Sequence, residues 1–251
     1  MPGGMARAED KPRSPRPAVK EAREAAPPAT GRRSLRRVVG LVILTLALIP
    51  LVLTPLYLLV PPVSTLMIWT RVAEGPIVRD YVSLGEVSKV LVASVLMSED
   101  GRFCEHGGVD WGAIGDVIDD PGGPSRGAST IAMQTVRNLF LWQSRSYVRK
   151  GLEIPLALYA DVVWGKRKTM EIYLNIAEWG PRIFGIEAAA QAYFKRSAKD
   201  LTAKQAALLA VALPNPLGRD PAKPSRQMQS RARVIEGRAR AAGAYVDCLY
   251  D

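Results

Sequence analysis

The chain is poor in the residues on which most metal and hydrolytic chemistry depends. Its 251 residues include one histidine, His106, and two cysteines, Cys104 and Cys248. A zinc site or a Ser-His-Asp triad would have to be built round that single imidazole. The cysteines stand at no metal-ligand spacing, and no nucleophile-elbow motif is present. Two cysteines are also too few for a disulfide framework; a single bridge between them stays open, and Cys104 alone reads as a bystander thiol. Aromatic residues make up only 7% of the chain, with no interleaved basic and aromatic strip of the kind that tracks a phosphate backbone. No internal repeat is visible.

What the chain has in excess is positive charge, formally +10, but it is unevenly spread. Residues 1–37 hold ten Lys/Arg against four Asp/Glu and so carry +6, which leaves a modest +4 for the rest. Nucleic-acid binding is set aside on that distribution. The tail combines Pro2, Pro12, Pro15, Pro17, Pro27 and Pro28 with Lys, Arg, Glu and Ala, and it reads as disordered because it has almost nothing apolar to bury.

After Arg32, Arg33, Arg36 and Arg37 comes an uncharged run over 38–60, twenty-three residues. At ~1.5 Å per helical residue this suits a hydrocarbon core ~30 Å thick, so a transmembrane helix is expected, kinked at Pro50 and Pro55. The run is longer than a signal-peptide core, and no clear small-x-small site follows it. The arginine cluster before it puts the N terminus in the cytoplasm, a single pass through an inner membrane, and the body of the chain outside. Residues 61–76 then form an interfacial linker, 77–219 a folded domain and 220–251 a helical extension.

The body reads as mainly α. Ser83 and Glu86 form a capping-box pair before Val87, Val90, Leu91 and Val95 at helical spacing, and this helix delivers Glu99 and Asp100 at its end. Residues 106–129 are rich in Gly, Asp and Pro and read as a loop leading to a helix over 129–139. Further helical patterns cover 148–164, 169–179, 185–193, 202–213 and 226–242.

Three clusters carry candidate chemistry. The first is Glu99-Asp100-Gly-Arg-Phe103-Cys-Glu-His106-Gly-Gly108, where an apolar helix runs out into a loop. The negative end of a helix dipole and partial desolvation both disfavour a carboxylate, so the Glu99 pKa should rise, as a general base or acid requires. In the second, Gly127 to Phe140, Ser129 or Thr130 is an N-cap whose neighbouring N–H groups suit an anion. Thr130, Gln134 and Arg137 share one helical stripe. The third is Arg149-Lys150-Gly-Leu-Glu153, which sets two cations beside a carboxylate and could neutralise a diphosphate. Singly, each cluster is equally a solvated helix end, a polar face or a surface ion pair.

In this order the three clusters resemble the family 51 glycosyltransferases, which polymerise lipid II into peptidoglycan. The resemblance covers roughly 77–219 and is extended by Glu171-Ile-Tyr-Leu-Asn175-x-x-x-x-Gly180, Phe184-Gly-Ile-Glu187 and Tyr193-Phe-Lys. With no penicillin-binding Ser-x-x-Lys segment following, the chain looks like the monofunctional type. The resemblance implies a lysozyme-like, two-lobed, mainly α fold in which Glu99 acts as general base on the 4-hydroxyl of an acceptor sugar and undecaprenyl diphosphate departs. It implies substrate binding by Asp100, Ser129, Thr130, Gln134, Arg137, Arg149 and Lys150, with Glu153 orienting those cations or the departing lipid.

A divalent ion, Mg2+ or Mn2+, is implied as an aid, with no residues assigned to hold it. The implied partners are lipid II, the nascent glycan strand, the inner membrane, and cell-wall synthesis or division proteins. Phe103, His106, Asn175 and Glu187 are expected to be scaffold. Departures from the family pattern stand at Met133, Arg137 and Pro155, and Pro155 is expected to kink its helix and tilt Glu153. The rival readings are a lytic enzyme that cleaves glycan and a non-catalytic membrane scaffold.

Overall fold

The computed structural model describes residues 30–119, 128–144 and 146–250. The expected disordered tail as far as residue 29, and Gly127 with the loop before it, lie outside them. The chain divides into two compact units, Met1–Leu44 and Thr45–Asp251. The described part of the first belongs to helix α1, Thr30–Leu56. Within α1, Leu35–Leu56 has a mean hydropathy of 2.5, long and apolar enough to cross a membrane.

Helix α1 stops four residues short of the expected Val60. The N–H groups of Leu58 and Leu59 turn back to the carbonyls of Pro55 and Leu56, at 3.1 and 2.9 Å. Pro55 has no N–H and so leaves the Leu51 carbonyl without its helical donor. The Tyr159 hydroxyl donates to that carbonyl at 3.0 Å, and the Trp164 indole donates to the Thr54 carbonyl at 2.7 Å. Helix α2, Thr65–Ala73, follows with Ser64 as its N-cap, and the Thr65 hydroxyl is within reach of the carbonyls of Asn138 and Leu141.

A small sheet comes next in order β1-β3-β2, built from β1 Val78–Arg79, β2 Glu178–Gly180 and β3 Ile183–Phe184. Strand β3 runs parallel to β1 and antiparallel to β2.

Helix α3 is Lys89–Glu99, not the longer helix expected from Ser83. The Ser83/Glu86 capping box does form, but it closes a 3-10 turn over Leu84–Glu86, and Ser88 caps α3. Leu91, Val92, Val95 and Leu96 are fully buried, which fixes the rotation of α3 and the placement of Glu99 at its last position.

The expected loop over 106–129 contains helix α4, Trp111–Asp119. Asp110 caps it, accepting from the Ala113 N–H at 2.9 Å, and this overrides the poor propensity of Gly112 and Gly115. Helix α5 is Ile131–Phe140. Helix α6, Tyr147–Ile176, joins two expected helices across Gly165, whose φ of 64° and ψ of 178° are its one non-helical pair. The backbone break in α6 thus falls at Gly165, ten residues after Pro155, where the dihedrals stay helical. The remaining elements are α7 Ile186–Phe194, α8 Ala203–Ala212, α9 Arg226–Arg240 and a 3-10 segment over Gly243–Leu249.

Among the described residues two large apolar clusters form most of the core, and α6 feeds both. One gathers Leu91, Val95, Phe103, Tyr173, Trp179 and Leu209 with Met228 and Ile235 of α9. The other gathers Met67, Met133, Val136, Trp164, Ile172 and Phe184. The fold is mainly α, as expected. Cys104 is no bystander: it is disulfide-bonded to Cys248, with their Cα atoms 5.8 Å apart, so the loop after Glu99 is tied to the last 3-10 segment.

Candidate active site

The last turn of α3, the N-terminal half of α5 and the start of α6 converge, and each brings one of the three sequence clusters. Glu99 is half-buried at the end of α3. Its carboxylate accepts from Gln134 Nε2 at 3.2 Å and from the Ser98 hydroxyl at 3.2 Å. The Gln134 amide is oriented in turn by the Tyr173 hydroxyl, which donates to Oε1 at 3.3 Å. Burial raises the Tyr173 pKa well above its usual value and keeps that hydroxyl a donor. Burial likewise pushes the Glu99 carboxyl above the usual carboxylate range, while the hydrogen bonds of Gln134 and Ser98 and the charges of Arg137 and Arg219 draw it part of the way back.

Asp100 and Thr130 brace this corner. One Asp100 oxygen lies 2.9 Å from His106 Nε2 and the other accepts from the Ile131 N–H at 2.9 Å, so both oxygens are committed to holding the loop and the start of α5. The Thr130 hydroxyl caps α5 by accepting from the Met133 N–H and donates to the Gly108 carbonyl at 2.6 Å. Gly108 has φ +81°, and a Cβ there would stand 2.6 Å from the Ala157 carbonyl oxygen, so no other residue fits. Phe103 is fully buried with His106 edge-on to it, and both are scaffold, as expected. So is Asn175, whose amide pairs with the Val82 backbone, and Glu187, which accepts from the Ala198 N–H at 2.7 Å.

The cation cluster lies beside Gln134. Glu153 is fully buried, with Lys150 Nζ at 3.1 Å and Arg149 Nε at 3.3 Å. Lys150 also donates to the Ser129 hydroxyl at 3.2 Å, while the Ser129 carbonyl is 3.5 Å from Gln134 Nε2. A continuous polar path thus joins Glu99 to Glu153 through Gln134, Ser129 and Lys150. Arg137 sits nearby, and its buried Nε has no hydrogen-bond partner. Burial lowers its pKa and Glu153 acts against that shift. A half-buried guanidinium with an unmet Nε donor, close to the Arg149 and Glu153 pair, is suited to an incoming anion.

A cleft of about 650 Å³ opens beside Glu99, lined by Ser98, Glu99, Asp116, Ser129, Thr130 and Arg238 among others. No three His, Cys, Asp or Glu side chains among the described residues come together in a way that could hold a metal ion.

A carboxylate raised towards protonation, beside a sugar-sized cleft and an anion-seeking cation cluster, is the chemistry of glycosyl transfer. A model of the family described as Transglycosylase matches residues 69–240. The chain belongs to the transglycosylase family. A Brucella suis biovar 1 (strain 1330) protein named biosynthetic peptidoglycan transglycosylase is 59% identical over 212 residues, 83% of this chain and 95% of its own length. Proteins of the same name from Mesorhizobium japonicum and Agrobacterium fabrum are 57% and 53% identical over 226 and 223 residues, each 87% of this chain and 96% and 99% of their own length.

Sequence reasoning missed three residues of this transglycosylase's site. Tyr173 carries a polar tip on an otherwise core-facing stretch of α6, a signal that could have been read. Arg219 and Arg238 follow no local pattern, and only the tertiary fold brings them near Glu99.

Proposed function

We propose that the chain is a peptidoglycan glycosyltransferase that joins lipid II units into β-1,4-linked glycan strands and releases undecaprenyl diphosphate. The observation that carries this reading is the path from Glu99, a carboxylate disposed to take a proton, to Arg149 and Lys150, two cations held by the buried Glu153. Glu99 accepts the proton of the acceptor sugar's 4-hydroxyl as its oxygen attacks the donor's anomeric carbon. The bond from that carbon to the diphosphate breaks, and the electron pair leaves with the diphosphate. Arg149, Lys150 and the unsatisfied Arg137 offset the charge that develops there. One displacement of this kind needs no protein nucleophile.

A lipid-linked substrate also accounts for α1 as an anchor. The arginines before it favour a cytoplasmic N terminus, a single pass through the inner membrane and a periplasmic catalytic domain. The Cys104–Cys248 bridge supports an oxidising compartment for that domain.

The test is full-length protein with fluorescent lipid II, wild type beside Glu99→Gln, resolved on a gel before and after muramidase. Muramidase-sensitive polymer from the wild type alone is expected. Cleavage of added glycan with no polymer would turn the assignment to a lytic enzyme.

A further inference from the structure

Helix α9 contributes one side chain, Arg238, to the cleft beside Glu99. Ala239 and Ala242 pack on Ala93 of α3, six residues before Glu99, and small side chains at that contact let the two helices approach closely. The 3-10 segment after α9 is then fixed by the disulfide from Cys248 to Cys104, and Arg167 donates to the Leu249 carbonyl at 2.7 Å. This packing brings Arg238 to the lining of the same cleft as Glu99, Ser129 and Thr130.

Arg238 is the uncommitted cation of that lining. Arg102, the other guanidinium there, is held bidentately by Asp110 at 2.8 and 2.9 Å. The neighbouring Arg240 is taken by Glu236. Arg238 is exposed, and its side chain has no hydrogen-bond or ionic partner among the described residues. Beside it the lining carries the carboxylates of Glu99, Asp100 and Asp116, while Asp110 is already paired with Arg102. A polyanion such as a diphosphate is repelled by such carboxylates and is better served by Arg149 and Lys150. A single carboxylate meeting one planar guanidinium suits them.

We infer that Arg238 is a substrate-binding residue that pairs with a peptide carboxylate of the sugar unit lying in this cleft. The inference rests on the peptidoglycan reading, because the building blocks of peptidoglycan carry short peptides with free carboxylates beside the sugar. It makes the enzyme selective for the charge state of that peptide, through a residue outside all three sequence clusters.

The experiment compares kcat/KM of the full-length enzyme on two lipid II preparations, one with free peptide carboxylates and one with those carboxylates amidated; the diphosphate is the same in both. The wild type should prefer the free-carboxylate lipid by about ten-fold, chiefly through KM, as expected for one accessible charge-assisted contact. Arg238→Gln should collapse that preference and Arg238→Lys should keep part of it. The exposed position of Arg238 lets both variants fold, which a thermal melt verifies. A wild type indifferent to amidation, or an Arg238→Gln variant that loses equally on both lipids, overturns the assignment. No polymer from the wild type on either lipid would instead remove the parent reading, and this one with it.

Discussion

Glu99 and Glu153 are two glutamates linked by one polar path, and their surroundings give them opposite tasks. Among the described residues the hydrogen-bond donors to Glu99 are neutral, Gln134 and Ser98, and burial pushes its carboxyl up against the more distant charges of Arg137 and Arg219. Glu153 is the more deeply buried of the two, yet it has a cation at 3.1 Å and another at 3.3 Å. A buried carboxylate between two cations is held in place and holds them; one facing neutral amide and hydroxyl groups is free to accept a proton. The comparison shows that the role follows the partners more than the depth of burial.

The largest expected effect is on turnover. Glu99→Gln keeps the shape and one of the two accepted hydrogen bonds but cannot take a proton, so polymer formation should fall by roughly 10²–10⁴-fold. Stability should move the other way. Because the folded-state pKa of Glu99 is raised, folding favours its protonated form, a contribution lost as pH rises through the folded value. Glutamine imitates the protonated form at every pH. Its Tm should therefore equal or exceed that of wild type at about pH 8, with the gap closing towards about pH 5. A Tm well below wild type at both values would mean that Glu99 is structural, and the contrast with Glu153 would fail.

Glu153→Ala should show the reverse pattern. Removing it leaves Arg149, itself only 8% exposed, without its counter-charge, and breaking a buried pair of this kind typically costs ~3–5 kcal/mol. Lys150 is more solvated and contributes less. Urea denaturation monitored by circular dichroism measures the loss, and an unchanged midpoint would remove the structural half of the comparison. Activity should fall too, since both cations lose their anchor.

Much of this was legible in the sequence, because the information was local. Glu99 at a helix end, Thr130 as an N-cap and Arg149, Lys150 and Glu153 on one helical face all follow from spacing along a few turns. Helix α4 was hidden because Gly112 and Gly115 argue against a helix, although Asp110 three residues before Ala113 was a usable capping signal. The pairing of Cys104 with Cys248 spans 144 residues and depends on how α9 packs on α3, which no short-range pattern encodes. The same holds for Arg238, and for Tyr173 reaching Gln134 from 39 residues away.

The disulfide gives a third test, because it ties down the loop that follows Glu99 and leaves the Glu153 cluster untouched. Closing a long loop of this kind usually stabilises by ~2–4 kcal/mol. Cys248→Ser should lower the denaturation midpoint accordingly and reduce kcat more than it raises KM for the lipid substrate. A rise in KM alone would place the bridge on the side of the diphosphate cations.

The smallest expected effect is the most specific. In Tyr173→Phe the Gln134 amide loses the hydroxyl that fixes which end faces Glu99, and its oxygen can then turn towards the carboxylate as readily as its nitrogen. An amide oxygen there stabilises the protonated carboxyl in place of the ionised one, so the Glu99 pKa should rise further. A base must be ionised to act, and the acid limb of the kcat/KM profile should accordingly move to higher pH while the plateau falls only a few-fold. Loss of one buried hydroxyl without a shift of that limb would mean that Tyr173 merely fills space. A shifted limb with a near-normal plateau would place Tyr173 among the positioning residues of Glu99, a role that no residue in the Glu153 cluster shares.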